Sequence, residues 1–259
     1  MTKKNSIPTI EVCSLPNYLQ YIEDQCTGER NVLFRGHTNS KWKLKPKIAR
    51  MVLRARFSMP DAESEMLRDF KRQALPHLSR DLRDDWDWLA LAQHHGLPTR
   101  LLDWTTNALV ALWFAIEKPP EGKTNGAVWI FFGKPDDYAN EEKISDPLNT
   151  KQTLIFRPRH LTPRIIAQSG WFTVHRYMPN RPGFVPLENN TRQKERLRKV
   201  EIPSRYFPAL REDLSRCGLN AGALFGDLNG ISKQLSWDFS PLEDEVELEK
   251  IYAENNANV

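Results

Sequence analysis

Apolar positions fall into three kinds of run along this chain, and each kind predicts a different element. Short apolar runs closed by turn residues read as buried strands. These are NVLFRGH (31–37), TRLLD (99–103), NGAVWIFF (125–132), entered through an Asn-Gly turn, and the weaker TLIF (153–156) and KVEIP (199–203). KWKLKPK (41–47) alternates instead, with Lys41, Lys43, Lys45 and Lys47 on one side and Trp42 and Leu44 on the other. That period of two predicts a strand with a cationic outer surface. The third kind is 108–116, nine apolar residues without a break, which predicts a helix buried all round.

Punctuation fills in the rest. Helices are expected from about Asp61 and from about Leu82, the second closed by Gly96 before Leu97-Pro98. Thr105 or Asp103 is placed to cap the apolar helix, and Thr162 to cap a short one that Gly170 ends before a further strand. Residues 133–153 read as polar loop, and helices dominate from Ser204 to about Trp237. There is no repeat and no Gly/Ser-rich linker, so one domain is expected. Strands and helices interleave without a regular βαβ alternation, which predicts an α+β fold.

Composition changes this picture little: 259 residues, 40% hydrophobic and 27% charged, describe an ordinary globular chain. No apolar run approaches the roughly 18 residues of a membrane span, and MTKKNSIPTIEV has no apolar signal core, so a cytoplasmic protein without a membrane partner is expected. Cys13, Cys26 and Cys217 are scattered, with no CxxC, and read as free thiols on which no metal site is built. Nothing resembles HExxH either, so no metal is expected. Walker A, GxGxxG and GxSxG signatures are missing, which demotes the corresponding nucleotide-binding and hydrolase folds.

Charge changes it more. From Asp238 onward seven acids face Lys250 alone, whereas the whole chain is +4. A basic body with an acidic end favours a polyanionic partner, although a solvated surface explains the same numbers. The stretch 41–56 holds seven Lys and Arg and no acid. With Trp42 interleaved, it fits phosphate contacts and base stacking, or a lysine-blunted edge strand.

The polar residues before the apolar helix are the candidate chemistry. Gln93, His94, His95, Thr99, Arg100, Asp103, Trp104 and Thr105 crowd against a helix whose N-terminus would attract an anion. His94 or His95 could serve as acid or base, or merely close the preceding helix. Arg35 leaves a buried strand and must pair with a carboxylate, Asp103 among the choices, or with a bound phosphate. Gly36 beside it would let a ligand approach the backbone. Gln168 and Gly170 repeat the pattern of a polar group next to a permissive residue.

Three segments, LFRGH (33–37), AQHHGLPTRLLDWTTNALVALWFA (92–115) and RIIAQSGWFTVH (164–175), together resemble the FRG-domain family, named for its Phe/Tyr-Arg-Gly motif. The segment 201–235 resembles the family's closing helices, so the likeness covers roughly 12–240 and leaves 241–259 as an acidic tail. The family has been related to ADP-ribosyltransferases, and some members look like toxins of bacterial antiphage systems. The resemblance implies a single α+β domain in which two small packed sheets flanked by helices enclose a cleft for NAD, with a helical C-terminal part. It implies Arg35, Asp103 and Gln168 as the catalytic set. Arg35, Gly36, Thr99, Arg100, Trp104 and Thr105 would surround NAD as substrate, with Trp104 against the nicotinamide. Lys41, Trp42, Lys43, Lys45 and Lys47 would guide a nucleic-acid acceptor, RNA or single-stranded. An antitoxin-like protein is an implied partner. One departure stands out: related transferases place a Glu in the last motif, where this chain offers Gln168, Ser169 and Gly170, so Asp103 would have to take the electrostatic role. The alternative is a non-catalytic nucleic-acid or nucleotide-binding module that uses the basic stretch 41–56.

Overall fold

The computed structural model describes residues 6–78, 81–159, 163–179 and 183–257, so the Thr162 cap lies outside the described residues. In chain order the elements are β1 (Thr9–Glu11), α1 (Leu15–Cys26), β2 (Val32–His37), α2 (Met59–Ala74), α3 (Asp85–His94), β3 (Leu101–Thr105), α4 (Ala108–Ile116) and β4 (Gly126–Phe132). They continue with β5 (Leu154–Phe156), α5 (Pro163–Ala167), β6 (Gly170–Val174), β7 (Tyr177–Met178), β8 (Gly183–Phe184) and β9 (Leu197–Ile202). Four helices close the chain: α6 (Phe207–Arg216), α7 (Ala221–Phe225), α8 (Leu228–Phe239) and α9 (Val246–Ala257).

Seven of the described strands form one mixed sheet in the order β1-β9-β4-β2-β3-β6-β5, and β7 and β8 form a separate ribbon. The fold is α+β, as the interleaving predicts. Only β1 and β9 run parallel; the other pairs are antiparallel. The sheet has a seam. β2 pairs with β4 over six registered positions and β3 with β6 over five, yet β2 meets β3 at one position, Phe34↔Thr105. The two small sheets expected are therefore two wings of one sheet, β1-β9-β4-β2 and β3-β6-β5, joined by a single pair.

Alternation along each strand sorts the side chains onto two faces. On one face Phe34, Val128, Ile130, Val200 and Ile202 pack beneath α4, α1 and α6. On the same face of the other wing, Leu101, Phe172, Val174 and Phe156 pack beneath α2 and α3. The opposite face buries Leu33, Leu102, Trp104, Trp129 and Phe131 under Leu44 and Leu187, which come from connecting segments. Helices thus stand on one face in two groups, and the groups part over the seam.

Local chemistry fixes the helices nearest that gap. Asp84 caps α3 by accepting from the amides of Trp86 and Asp87 at 3.0 Å, and Gly96 leaves it at φ +86°, the left-handed turn expected there. The nine apolar residues 108–116 are α4. Its cap, however, is Asn107, whose Oδ1 accepts from Leu109 N at 2.9 Å and Val110 N at 3.3 Å. Asp103 and Thr105 are not caps: both lie in β3, because Thr106 and Asn107 still separate them from the first helical turn.

The alternation at 41–47 misleads. These residues form no strand. The Leu44 amide donates to Glu188 Oε2 at 3.1 Å and its carbonyl accepts from Leu187 N, so the segment is pinned at one buried leucine and otherwise wraps the sheet as a loop. The acidic end is anchored as well. Arg211, 5% exposed, reaches Ile116 O at 2.6 Å and pairs with Asp244 and Glu245, and Trp237 Nε1 donates to Glu245 at 2.8 Å.

Candidate functional site

The site forms at the seam because β2 and β3 diverge beyond Phe34↔Thr105. Arg35 and His37 stand two apart on β2 and share a face, whereas Asp103 projects to the face that carries α3 and α4. Arg35 crosses the gap. Its Nη1 donates to the Asp103 carbonyl at 2.5 Å and lies 3.4 Å from Asp103 Oδ2. Its Nε donates to His37 Nε2 at 2.9 Å. Since that nitrogen must accept, the His37 proton sits on Nδ1. Burial first, and then the Arg35 charge, push His37 well below the ordinary histidine value, so the ring is neutral near pH 7.

On the far side of Asp103, Gln93 Nε2 at the end of α3 lies 3.2 Å from both carboxylate oxygens. The Gln93 carbonyl is held in turn by Thr99 Oγ1 at 2.7 Å, and Thr99 accepts from Leu101 N at 3.1 Å. His37, Arg35, Asp103, Gln93 and Thr99 form one continuous chain of hydrogen bonds. Its central carboxylate is 56% exposed, whereas the Arg35 side chain is 19% exposed.

The exposure opens into a cleft of about 490 Å³ between α4 and α3. Val110, Ala111 and Phe114 form its apolar wall, and Gln93, His94 and Gly96 the opposite one. Lys43, Lys45, Arg50 and Lys118 stand on its lip, none of them in an ion pair among the described residues, with Trp42 beside them at 43% exposure. A side pocket of about 90 Å³ shares Asp103, Trp104 and Gln168 with the cleft and is closed by Trp171 and Phe172.

The residues named from sequence divide accordingly. Arg35, Gly36, Asp103, Trp104, Thr105 and Gln168 line the cleft, as do Trp42, Lys43 and Lys45. Trp104 is 3% exposed and fixed by its indole N–H on Thr173 Oγ1 at 3.0 Å. Thr105 donates to the Gln168 carbonyl at 2.6 Å, and Gln168 Nε2 reaches Leu224 O of α7 at 3.2 Å, so this corner is tied to the C-terminal helices. Ser169, between them and β6, adopts φ +46°.

Five expectations need correction. Arg100 does not reach the cleft: it is 2% exposed and forms a two-pronged ion pair with Glu63, equally buried, with Nη2 to Oε2 at 2.6 Å. Thr99 is buried behind Gln93 and positions it. Gly36 is needed by α4: a Cβ there would strike the Ala111 carbonyl and come within 2.6 Å of the Ala115 amide. Lys41 and Lys47 lie outside the cleft lining, and Lys47 Nζ instead donates to Gly96 O at 2.8 Å. The anion site foreseen at the α4 N-terminus is likewise filled by Asn107. His37 has no place among the residues the sequence singles out, and Gln93 stands there only as one of the crowded polar residues, without a role. The two-residue spacing from Arg35 was the available signal for His37, and the crowding of polar residues before α4 the one for Gln93.

No group of three or more potential metal ligands occurs among the described residues, and no helix among them is long and apolar enough to cross a membrane. The chain is a mixed α/β domain with a split sheet and a cation-lipped cleft at the split. The family model of the FRG domain matches residues 30–124, and the chain carries an FRG domain. The match spans β2 to α4, the elements that supply Arg35, Gln93 and Asp103. No curated protein and no solved structure matches the chain.

Proposed function

We propose that the cleft binds NAD and that the chain transfers ADP-ribose from it to a nucleic acid, RNA or another single strand. One observation carries this reading: a half-exposed carboxylate, Asp103, is held from two sides beside four unpaired cations. A purely structural carboxylate at a strand centre would be sealed by its partners. Here Gln93 and Arg35 orient the group and leave it open to the cleft.

The roles follow from position. Arg35 and the lip cations Lys43, Lys45 and Arg50 would take the pyrophosphate charge. Trp104 and Phe114 would wall the base-binding region, and Gln168 would orient the ribose from the corner it shares with the side pocket. As the bond from C1′ to nicotinamide breaks, nicotinamide leaves with the electron pair and positive charge grows on the ribose. Asp103 would stabilise that charge in place of the glutamate of related transferases. The acceptor nucleophile then bonds to C1′ and releases its proton to solvent. Trp42 and the neighbouring lysines would hold the acceptor by stacking and phosphate contact. A toxin role in antiphage defence, restrained by an antitoxin-like protein, belongs to this reading, and expression of the chain should then arrest growth.

The test is nicotinamide release by purified protein with RNA, DNA or cell protein added. Release that requires one acceptor, and falls about 10²–10³-fold in Asp103→Asn, is the expected result. A second reading, a nucleic-acid-binding module without turnover, is favoured by Trp42 standing exposed among the lip cations. No release with any acceptor, together with binding whose salt dependence flattens in Lys43→Ala/Lys45→Ala, would replace the first reading with the second.

A further inference from the structure

Helix α8 is inside out. Its side toward the protein carries Gly230, Gln234 and Trp237, while Leu228, Ile231, Leu235 and Phe239 are 78%, 48%, 51% and 88% exposed. The spacing of those four, three residues and then four and four, draws one apolar stripe along the solvent side. What binds α8 to the body is a close approach and a set of polar bonds. A Cβ at Gly230 would come within 2.7 Å of Ala221 O on α7, so the two helices touch there at backbone distance. Gln234 Oε1 accepts from Ala221 N at 3.2 Å, Lys233 pairs with Glu117 at 2.8 Å, and Trp237 donates to Glu245. The exposed Leu228, Ile231, Leu235 and Phe239 contribute to none of this. Isolated exposed leucines are ordinary, but a continuous stripe of four large side chains is not.

The charge around the stripe narrows what could cover it. Asp227, the N-cap whose carboxylate accepts from Gly230 N at 2.8 Å, stands at the start of the stripe, and Asp238, three after Leu235, lines one edge; Asn229, Ser232 and Ser236 line the other. From Asp227 to Glu254 the chain has eight acids against Lys233 and Lys250, within a protein of net charge +4. An acidic surround disfavours both a nucleic acid and an anionic membrane, each of which selects basic faces. A second copy is also disfavoured. Antiparallel pairing of two α8 helices about a two-fold axis sets acidic edge against acidic edge, and parallel pairing leaves the acids facing serine and asparagine.

We infer that the exposed stripe of α8 is the docking site for an amphipathic helix of another protein, one whose apolar face is edged with Lys or Arg. Apolar side chains of the partner would lie along Leu228, Ile231, Leu235 and Phe239, and its basic edge would run past Asp227 and Asp238. The inference is independent of the chemistry proposed for the cleft.

The test uses the full chain and a synthetic helical peptide of about 18 residues, with leucines at the stripe spacing and lysines along one edge. The comparison peptide has glutamates on that edge. Fluorescence anisotropy should show binding of the lysine-edged peptide at least about tenfold tighter than its glutamate-edged counterpart. Binding should weaken by about tenfold or more in Leu235→Ser/Phe239→Ser. Because both side chains are exposed, the thermal midpoint of that variant should equal the parent's, which separates lost docking from lost folding. Failure of the lysine-edged peptide to bind, or equal binding of both peptides, overturns the inference. So does a concentration-dependent dimer that Leu235→Ser/Phe239→Ser abolishes, which would make a second copy the occupant. Capture of the chain by anionic phospholipid vesicles, lost in the same variant, overturns it too.

Discussion

Two arginines bracket the heart of this molecule and are used in opposite ways. Arg100 and Glu63 are each 2% exposed and joined by three short bonds, and Arg100 spends another donor on Leu148 O at 2.6 Å. Arg35 and Asp103 meet at one long side-chain contact of 3.4 Å, and the carboxylate is more than half exposed. The first pair is sealed from solvent, so neither group is offered to a ligand. The second carboxylate is held by Gln93 more closely than by its own partner, which leaves it available. An arginine beside an apolar run signals a charge that must be satisfied, but only the burial of its partner shows whether protein or ligand satisfies it.

The contrast is easiest to break at the sealed pair. Glu63→Ala leaves the Arg100 guanidinium buried and unpaired, and should destabilise the fold by about 3–5 kcal/mol, read as a lowered urea midpoint. A loss below about 1 kcal/mol would mean that water reaches Arg100 and that the pair is not sealed.

Lowering the pH should sharpen the contrast by loading protons where the strands are buried. Burial pushes His175 down to about 3, and His37 is pushed the same way. Their folded values lie below the unfolded value of about 6.5, so the unfolded chain takes up these protons first. Stability from each is complete above that pH and is lost as pH falls below it, for His175 down to about 3, by at most about 1.4 kcal/mol per pH unit per histidine. Urea unfolding between pH 6.5 and 5.5 reads this slope, and His175→Asn should remove about half of it. An unchanged slope in that variant would mean that His175 charges freely in the folded state.

The smallest effect belongs to the open pair. Asp103→Asn removes a half-exposed charge with one long ionic contact, and should shift stability by less than about 1 kcal/mol. A loss as large as that of Glu63→Ala would erase the distinction between the two arginines and give Asp103 a structural role.

Much of this fold was legible because its strongest signals are local. The uninterrupted run of α4 and the bounded runs of β2 and β4 need no tertiary information to be read. β1 and α1 escaped because three strand residues and a helix with two buried positions, Leu15 and Tyr18, leave little period to detect. The loop at 41–47 was misread for the opposite reason: it has a perfect period, but its backbone partners come from 187 and 188, far along the chain. The site was half legible. Arg35 and Asp103 announce themselves by type and setting, whereas telling Arg100 from Arg35 required Glu63, which arrives from α2 with nothing nearby in sequence to mark it.

The seam has a mechanical consequence. A sheet resists sliding between its strands because every registered pair must shear together, and here a single pair, Phe34↔Thr105, carries that load between two otherwise stiff halves. Side chains also span the gap, Arg35 on the Asp103 carbonyl and Trp104 against Phe131 among them. A molecule lodged in the cleft against both halves would act as a strut. It would change the compliance of the whole sheet while leaving the shape of either half untouched.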